Sequence, residues 1–227
     1  MNEEIRVLDH GFIRLDGAMA DDLSVVNAAR VSFGKRKEEM DASDEKLISF
    51  LMRDKHGSPF EHNAFRFHIK APLFVFREWQ RHRIASYNEM SGRYVKFENP
   101  DFFLPDEFRQ RVEGSKVGAY QFEKWQGNQA QAKALTLRHY QDSVDLYNHY
   151  VENGMATEHA RIVLPLALYS EMYWTCNARS IMNFLSLRNE EQALKEIREY
   201  AMIVESIVGE HMPVTMEAFR SNRRVAP

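Results

Sequence analysis

Between Ala64 and Arg83 the hydrophobic period changes, and that change constrains the fold more than any other feature. Phe65, Phe67 and Ile69 alternate with Arg66, His68 and Lys70, the period of two expected of a half-buried strand. Pro72 then suits the first turn of a helix, which the pattern extends to Arg83. Strand signals also flank His10-Gly11, over 5–9 and 12–15. Helices are expected from an Asp21 or Asp22 cap to Phe33, and after Ser43 through Lys46–Met52 to just before Gly57. Others are expected over Gln129–Val151, Thr157–Val163, Arg179–Leu187 and Glu190–His211, with a last short one opening at Pro213. Leu166–Cys176 fits strand or helix equally well. The mixture predicts a helix-rich α+β fold with a small mixed or antiparallel sheet. One domain over 1–227 is expected, with 99–127, rich in Pro and Gly, as an insertion or mobile stretch.

Composition excludes several classes. Thirty basic against 33 acidic residues give a net charge of −3, which argues against a chain devoted to nucleic acid. The apolar fraction of 44% excludes global disorder. No apolar run approaches the ~18 residues of a membrane span. The acidic N-terminus lacks a signal-peptide pattern, and Cys176 is the single cysteine, so no disulfide can form within the chain. A cytoplasmic protein is expected.

Polar chemistry concentrates in Arg81–Tyr94, which holds three arginines, a histidine, two serines, an asparagine and a glutamate in fourteen positions. Guanidinium forks match phosphate and carboxylate geometry. Ser86, Asn88 and Ser91 add short-range donors in an expected loop, and Gly92 permits close backbone approach. An anionic or planar ligand is implied. On the expected helix, Glu78, Arg81 and His82 share a face. In the second polar segment, 177–188, Arg179, Asn183 and Ser186 form one stripe. Arg188 ends the apolar stripe of Ile181, Phe184 and Leu185, where snorkelling outward is the simpler reading.

Other chemistries stay open on the residues alone. His56, Glu61, His62 and His68 could be metal ligands of a nucleotide phosphohydrolase, with His62 and His68 on one strand face, but no HExxH or paired-cysteine spacing supports this. A non-catalytic module binding single-stranded nucleic acid would use the arginine-tyrosine segment. Cys176, in an aromatic run, reads as packing rather than as a nucleophile. Ser91 shows no oriented base and reads as a hydrogen-bonding residue.

The ordered series Arg-His-Arg-x-x-Ser-x-Asn-Glu-x-Ser-x-Arg-Tyr over 81–94 resembles the signature of the flavin-dependent thymidylate synthases. Gly57-Ser-Pro-Phe-Glu-His62, Ala160–Pro165, Asn177–Leu185 and Arg188 extend the resemblance over roughly 55–190. It implies that family's fold and a reductive methylation of dUMP to dTMP. In that reaction 5,10-methylenetetrahydrofolate donates the carbon, FAD carries hydride, NADPH is the reductant and tetrahydrofolate leaves. By resemblance, Ser58, Arg81, His82, Arg83, Glu89, Asn177, Arg179 and Asn183 would contact FAD. Glu78, Trp79, Gln80, Arg81, Glu89, Met90, Ser91, Gly92, Arg93, Arg161 and Arg188 would form the dUMP site. Arg188 is expected to be catalytic, polarising the uracil edge. Glu78 departs from the glutamine the resemblance leads one to expect. A homotetramer with shared sites is implied, and no metal, nucleic-acid or membrane partner.

Overall fold

The computed structural model describes residues 3–116 and 120–227. Five antiparallel strands form the main sheet: β1 Ile5–Val7, β2 Gly11–Met19, β3 Ala64–Pro72, β4 Ser86–Glu89 and β7 Tyr169–Cys176. Their order across the sheet is β1-β2-β3-β7-β4. The expected alternation in β3 is present, with Phe65, Phe67, Ile69 and Ala71 fully buried. Phe67 faces Trp174 across β3 and β7, and His68 faces Tyr173. The register between β2 and β3 shifts between Leu15 and Gly17.

Six helices supply the side chains packed on the apolar face: α1 Asp22–Arg30, α2 Ala42–Arg53, α3 Leu73–Trp79, α6 Ala178–Arg188, α7 Lys195–His211 and α8 Pro213–Ser221. Helices α4 Gln129–Glu152 and α5 Thr157–Ala160 lie outside that core cluster. Asp21 caps α1, and a 3₁₀ turn carries the chain on to Phe33. Helix α2 is capped by Asp41 in a capping box with Asp44, two residues before the expected Ser43. At the centre, Trp79 stacks on Phe184 at 4.7 Å and meets Trp174 and Tyr200 edge-on. The Tyr200 hydroxyl donates to the Lys70 carbonyl at 2.7 Å. A Cβ on Gly11 would stand 2.0 Å from that hydroxyl, so this crossing of β2 under α7 admits only glycine.

One open assignment is resolved and one helix start is corrected. Of the stretch Leu166–Cys176, open between strand and helix in the sequence, Tyr169–Cys176 is strand β7, whose residues alternate buried Ser170, Met172 and Trp174 with exposed Tyr173. The last long helix begins at Lys195, not Glu190. The 99–127 stretch contains a two-stranded ribbon, β5 Arg109–Arg111 and β6 Phe122–Lys124. Arg109 ties it to α7 by donating through Nη2 to both oxygens of Glu196, at 2.8 and 2.9 Å. Gly118 lies outside the described residues. Among the described residues no helix is long and apolar enough to cross a membrane.

Candidate active site

Helix α3 ends at Trp79 rather than Arg83, so the shared helical face expected of Glu78, Arg81 and His82 does not exist. Tyr87 is the reason. Its hydroxyl donates to the His82 carbonyl at 2.6 Å and reaches the Trp79 carbonyl at 3.2 Å. These contacts hold 80–85 as a turn between α3 and β4. Burial pushes the Tyr87 hydroxyl well above its ordinary pKa, with the neighbouring Cys176 adding to the rise. The hydroxyl therefore stays protonated and keeps donating. Ser86–Glu89, expected as loop, is the edge strand β4 paired to β7.

The turn points Arg81, His82 and Arg83 into a cleft of about 440 Å³. Glu61, Ile84, Arg179, Ser180, Asn183, Ala226 and Pro227 complete its lining. Five of the eight cofactor residues expected from sequence therefore meet across long chain separations. Ser58, Glu89 and Asn177 do not line this cleft. Asn177 caps α6, accepting the Ser180 N–H at 2.9 Å, and Asn63 accepts the Ala178 N–H at 2.7 Å. The Arg179 guanidinium donates to Glu61 and, at 2.7 Å, to the Pro227 carbonyl. Sequence reasoning offered Glu61 only as a metal ligand, and it missed Asn63 and the 226–227 segment. Glu61 sits inside the Gly57–His62 block, whereas nothing local marks Pro227.

Arg188 does not snorkel. Its side chain is 15% exposed. Nη1 donates to Glu78 Oε2 at 2.6 Å, Nη2 to the Glu78 carbonyl at 3.0 Å, and Nε to His82 Nε2 at 3.0 Å. Accepting at Nε2 leaves the His82 proton on Nδ1. Burial, reinforced by the Arg188 charge, pulls the His82 pKa down to about 4. The ring is therefore neutral and serves Arg188 as an acceptor rather than an anion as a cation.

A second group lies beyond β4. Gln80 donates to Glu89 at 3.1 Å, and Met90 N–H reaches the Glu171 carbonyl at 2.8 Å. The Ser91 carbonyl accepts the Tyr94 and Val95 N–H groups, both at 3.0 Å. Gly92 packs against Arg161 and Phe97. Arg93 pairs with Glu158 at 3.1 Å, and its carbonyl accepts from Thr157. Trp79 is fully buried, so it can offer a ligand only its backbone. His62 precedes β3 and shares no strand face with His68, whose Nε2 lies 3.0 Å from Glu171 and whose Nδ1 lies 2.8 Å from Arg14. Cys176 is buried, and burial raises its thiol pKa well above the ordinary value, which removes it as a thiolate.

A net-acidic chain that gathers guanidiniums in one concave region, with a further arginine held by a carboxylate at its edge, suits small polyanions with a planar head. The class this fold and site define is a nucleotide-modifying enzyme. Residues 14–214 match the family described as "Thymidylate synthase complementing protein". The chain is 45% identical over 216 residues to a flavin-dependent thymidylate synthase of Thermosipho melanesiensis, covering 95% of this chain and 93% of that one. It is 42% identical to a flavin-dependent thymidylate synthase of Thermus thermophilus, covering 96% and 78%. A crystal structure of the UMP/dUMP methylase PolB from Streptomyces cacaoi, bound with 5-Br UMP, superposes with a TM-score of 0.85 at 37% identity, over 98% and 99% of the two chains. The chain belongs to the thymidylate synthase complementing protein family, the flavin-dependent thymidylate synthases.

Proposed function

We propose that this enzyme converts dUMP to dTMP by reductive methylation. The carbon comes from 5,10-methylenetetrahydrofolate, NADPH is the reductant and tetrahydrofolate is released. The observation that carries the reading is the meeting of Arg81, Arg83 and Arg179 around one cleft, next to an Arg188 held in place by Glu78 and His82.

The donor set fits FAD. Three guanidiniums with Asn183 suit a diphosphate, and Ile84, exposed on the cleft wall, offers apolar surface to a flat ring. Arg81, His82, Arg83, Arg179 and Asn183 would hold it, with Ser58, Glu89 and Asn177 at the margins. When bound, FAD supplies the hydride chemistry. The chain's own contribution is orientation and charge. Ser91, Gly92, Arg93 and Arg161 would receive the nucleotide's phosphate and ribose, alongside Met90, Gln80 and the Trp79 backbone. Arg188 would face the pyrimidine, where its charge favours loss of the N3 proton or polarises a carbonyl and enriches C5 in electron density.

The nucleotide group around Gly92 and Arg161 lies outside the lining of the arginine cleft. That separation supports a homotetramer in which subunits combine the two groups. One catalytic domain over 1–227, working in the cytoplasm, completes the reading.

The test is an absorbance spectrum after FAD loading and removal of excess, followed by anaerobic NADPH with and without dUMP. A retained flavin band that bleaches, and dTMP formation on adding methylenetetrahydrofolate, is the expected result. A colourless protein that consumes no NADPH would overturn it.

A further inference from the structure

Arg188 carries five N–H groups, and three of them are committed to the last turn of α3 and the turn that follows it. The Glu78 side chain takes one, the Glu78 carbonyl a second and His82 Nε2 the third. One hydrogen remains on each terminal nitrogen. Glu78 is thus the residue to which Arg188 is most fully bound, although the two stand 110 positions apart. The Glu78 side chain is 39% exposed against 15% for Arg188, so the carboxylate rims the site while the guanidinium lies deeper. A carboxylate is a poor direct ligand for a nucleotide phosphate, because the two anions repel.

We propose that Glu78 is the positioning residue for Arg188, setting the plane and direction of its guanidinium before the pyrimidine arrives. Two acceptors on one residue, the carboxylate and the backbone carbonyl, grip both terminal nitrogens, and His82 fixes the third corner. A planar donor held at three points cannot swing about its stem, so its remaining hydrogens have a set direction. Pre-organisation of this kind acts on the rate more than on ground-state affinity. The proposal rests on the reading that Arg188 meets the pyrimidine.

The test uses the FAD-loaded enzyme, with two readouts: turnover, and dUMP affinity by calorimetry with the flavin oxidised. Glu78→Gln keeps an acceptor at the same reach. Glu78→Asp keeps the charge but withdraws the acceptor by about one C–C bond, roughly 1.5 Å. The expected pattern is a kcat within about fivefold of wild type for Gln and a kcat lower by on the order of 100-fold for Asp and for Glu78→Ala. The dUMP Kd should change less than about threefold in all three. In an Arg188→Ala background, Glu78→Asp should produce no further loss, as for residues acting as one unit. Weakened dUMP binding without a kcat effect would overturn the proposal and make Glu78 a direct nucleotide contact. Additive losses in the double variant would overturn it as well. Near wild-type turnover of Arg188→Ala alone would show that the reading of Arg188, and not just the role of Glu78, had failed.

Discussion

A Cβ built on Gly92 would stand 3.0 Å from Cδ of Arg161 and 2.9 Å from Cε2 of Phe97. The glycine therefore sets how closely the 90–93 backbone approaches the Arg161 stem. Gly92→Ala must push Arg161 or Phe97 aside by several tenths of an ångström. The expected outcome is a rise in KM for dUMP on the order of tenfold with a smaller change in kcat. Steady-state kinetics at saturating folate and NADPH check it, and an unchanged KM would separate Arg161 from nucleotide binding.

Arg188→Lys removes the fork while keeping a charge. A lysine ammonium cannot bridge the Glu78 side chain, the Glu78 carbonyl and His82 Nε2 in one plane. Turnover should fall on the order of 100-fold or more. Flavin retention should persist, because Arg188 does not line the cleft of Arg81, Arg83 and Arg179. The flavin band of the purified variant and its single-turnover rate test the two halves separately.

Cys176 faces Phe65 across β3 and β7 in the buried core. Its thiol is shielded from solvent and held protonated by burial. Cys176→Ala should keep turnover within about twofold and lower stability by about 1 kcal/mol for the lost packing. Ellman's reagent should label the native protein slowly and the urea-unfolded protein fully.

Acid stability should depend on Glu205. Burial alone would raise its pKa, but hydrogen bonds from Arg224, Arg220 and Asn189 outweigh burial and hold it at about 2. A carboxyl depressed in the folded state stabilises fully above its unfolded pKa near 4.5, and that contribution fades as pH falls toward about 2. His82 acts in the same direction over a higher window. Its folded pKa of about 4 lies below the usual 6.5, so the unfolded chain takes up the proton first as pH falls and stability declines between those values. Urea midpoints measured from about pH 7 to about pH 3 should fall throughout. Glu205→Gln should be destabilised by roughly 3 kcal/mol at about pH 7 through its unpaired arginines and should lose most of the dependence in the acid range where Glu205 titrates.

The sequence by itself determined what is written within a few neighbouring residues. The alternation in β3, a cap of α1 at Asp21 or Asp22 and the Arg81–Tyr94 signature are carried by neighbouring residues and could be read directly, whereas the cap of α6 at Asn177 was not. The resemblance carried on those motifs named the reaction. Only the tertiary structure decided which distant side chains meet. Whether Arg188 turns outward or inward depends on what lies across from it, and Glu78 and His82 arrive there from another element. The end of α3 at Trp79 depends on a tyrosine hydroxyl returning from β4 to cap the turn. Tyr169–Cys176 became strand because β3 and β4 offered it hydrogen-bonding edges on both sides. Arg179 found partners in Glu61 and Pro227, 118 and 48 positions away. Periodicity and capping act over one or two turns of backbone, whereas a long charged side chain takes its partner from whatever packing brings within about 3 Å.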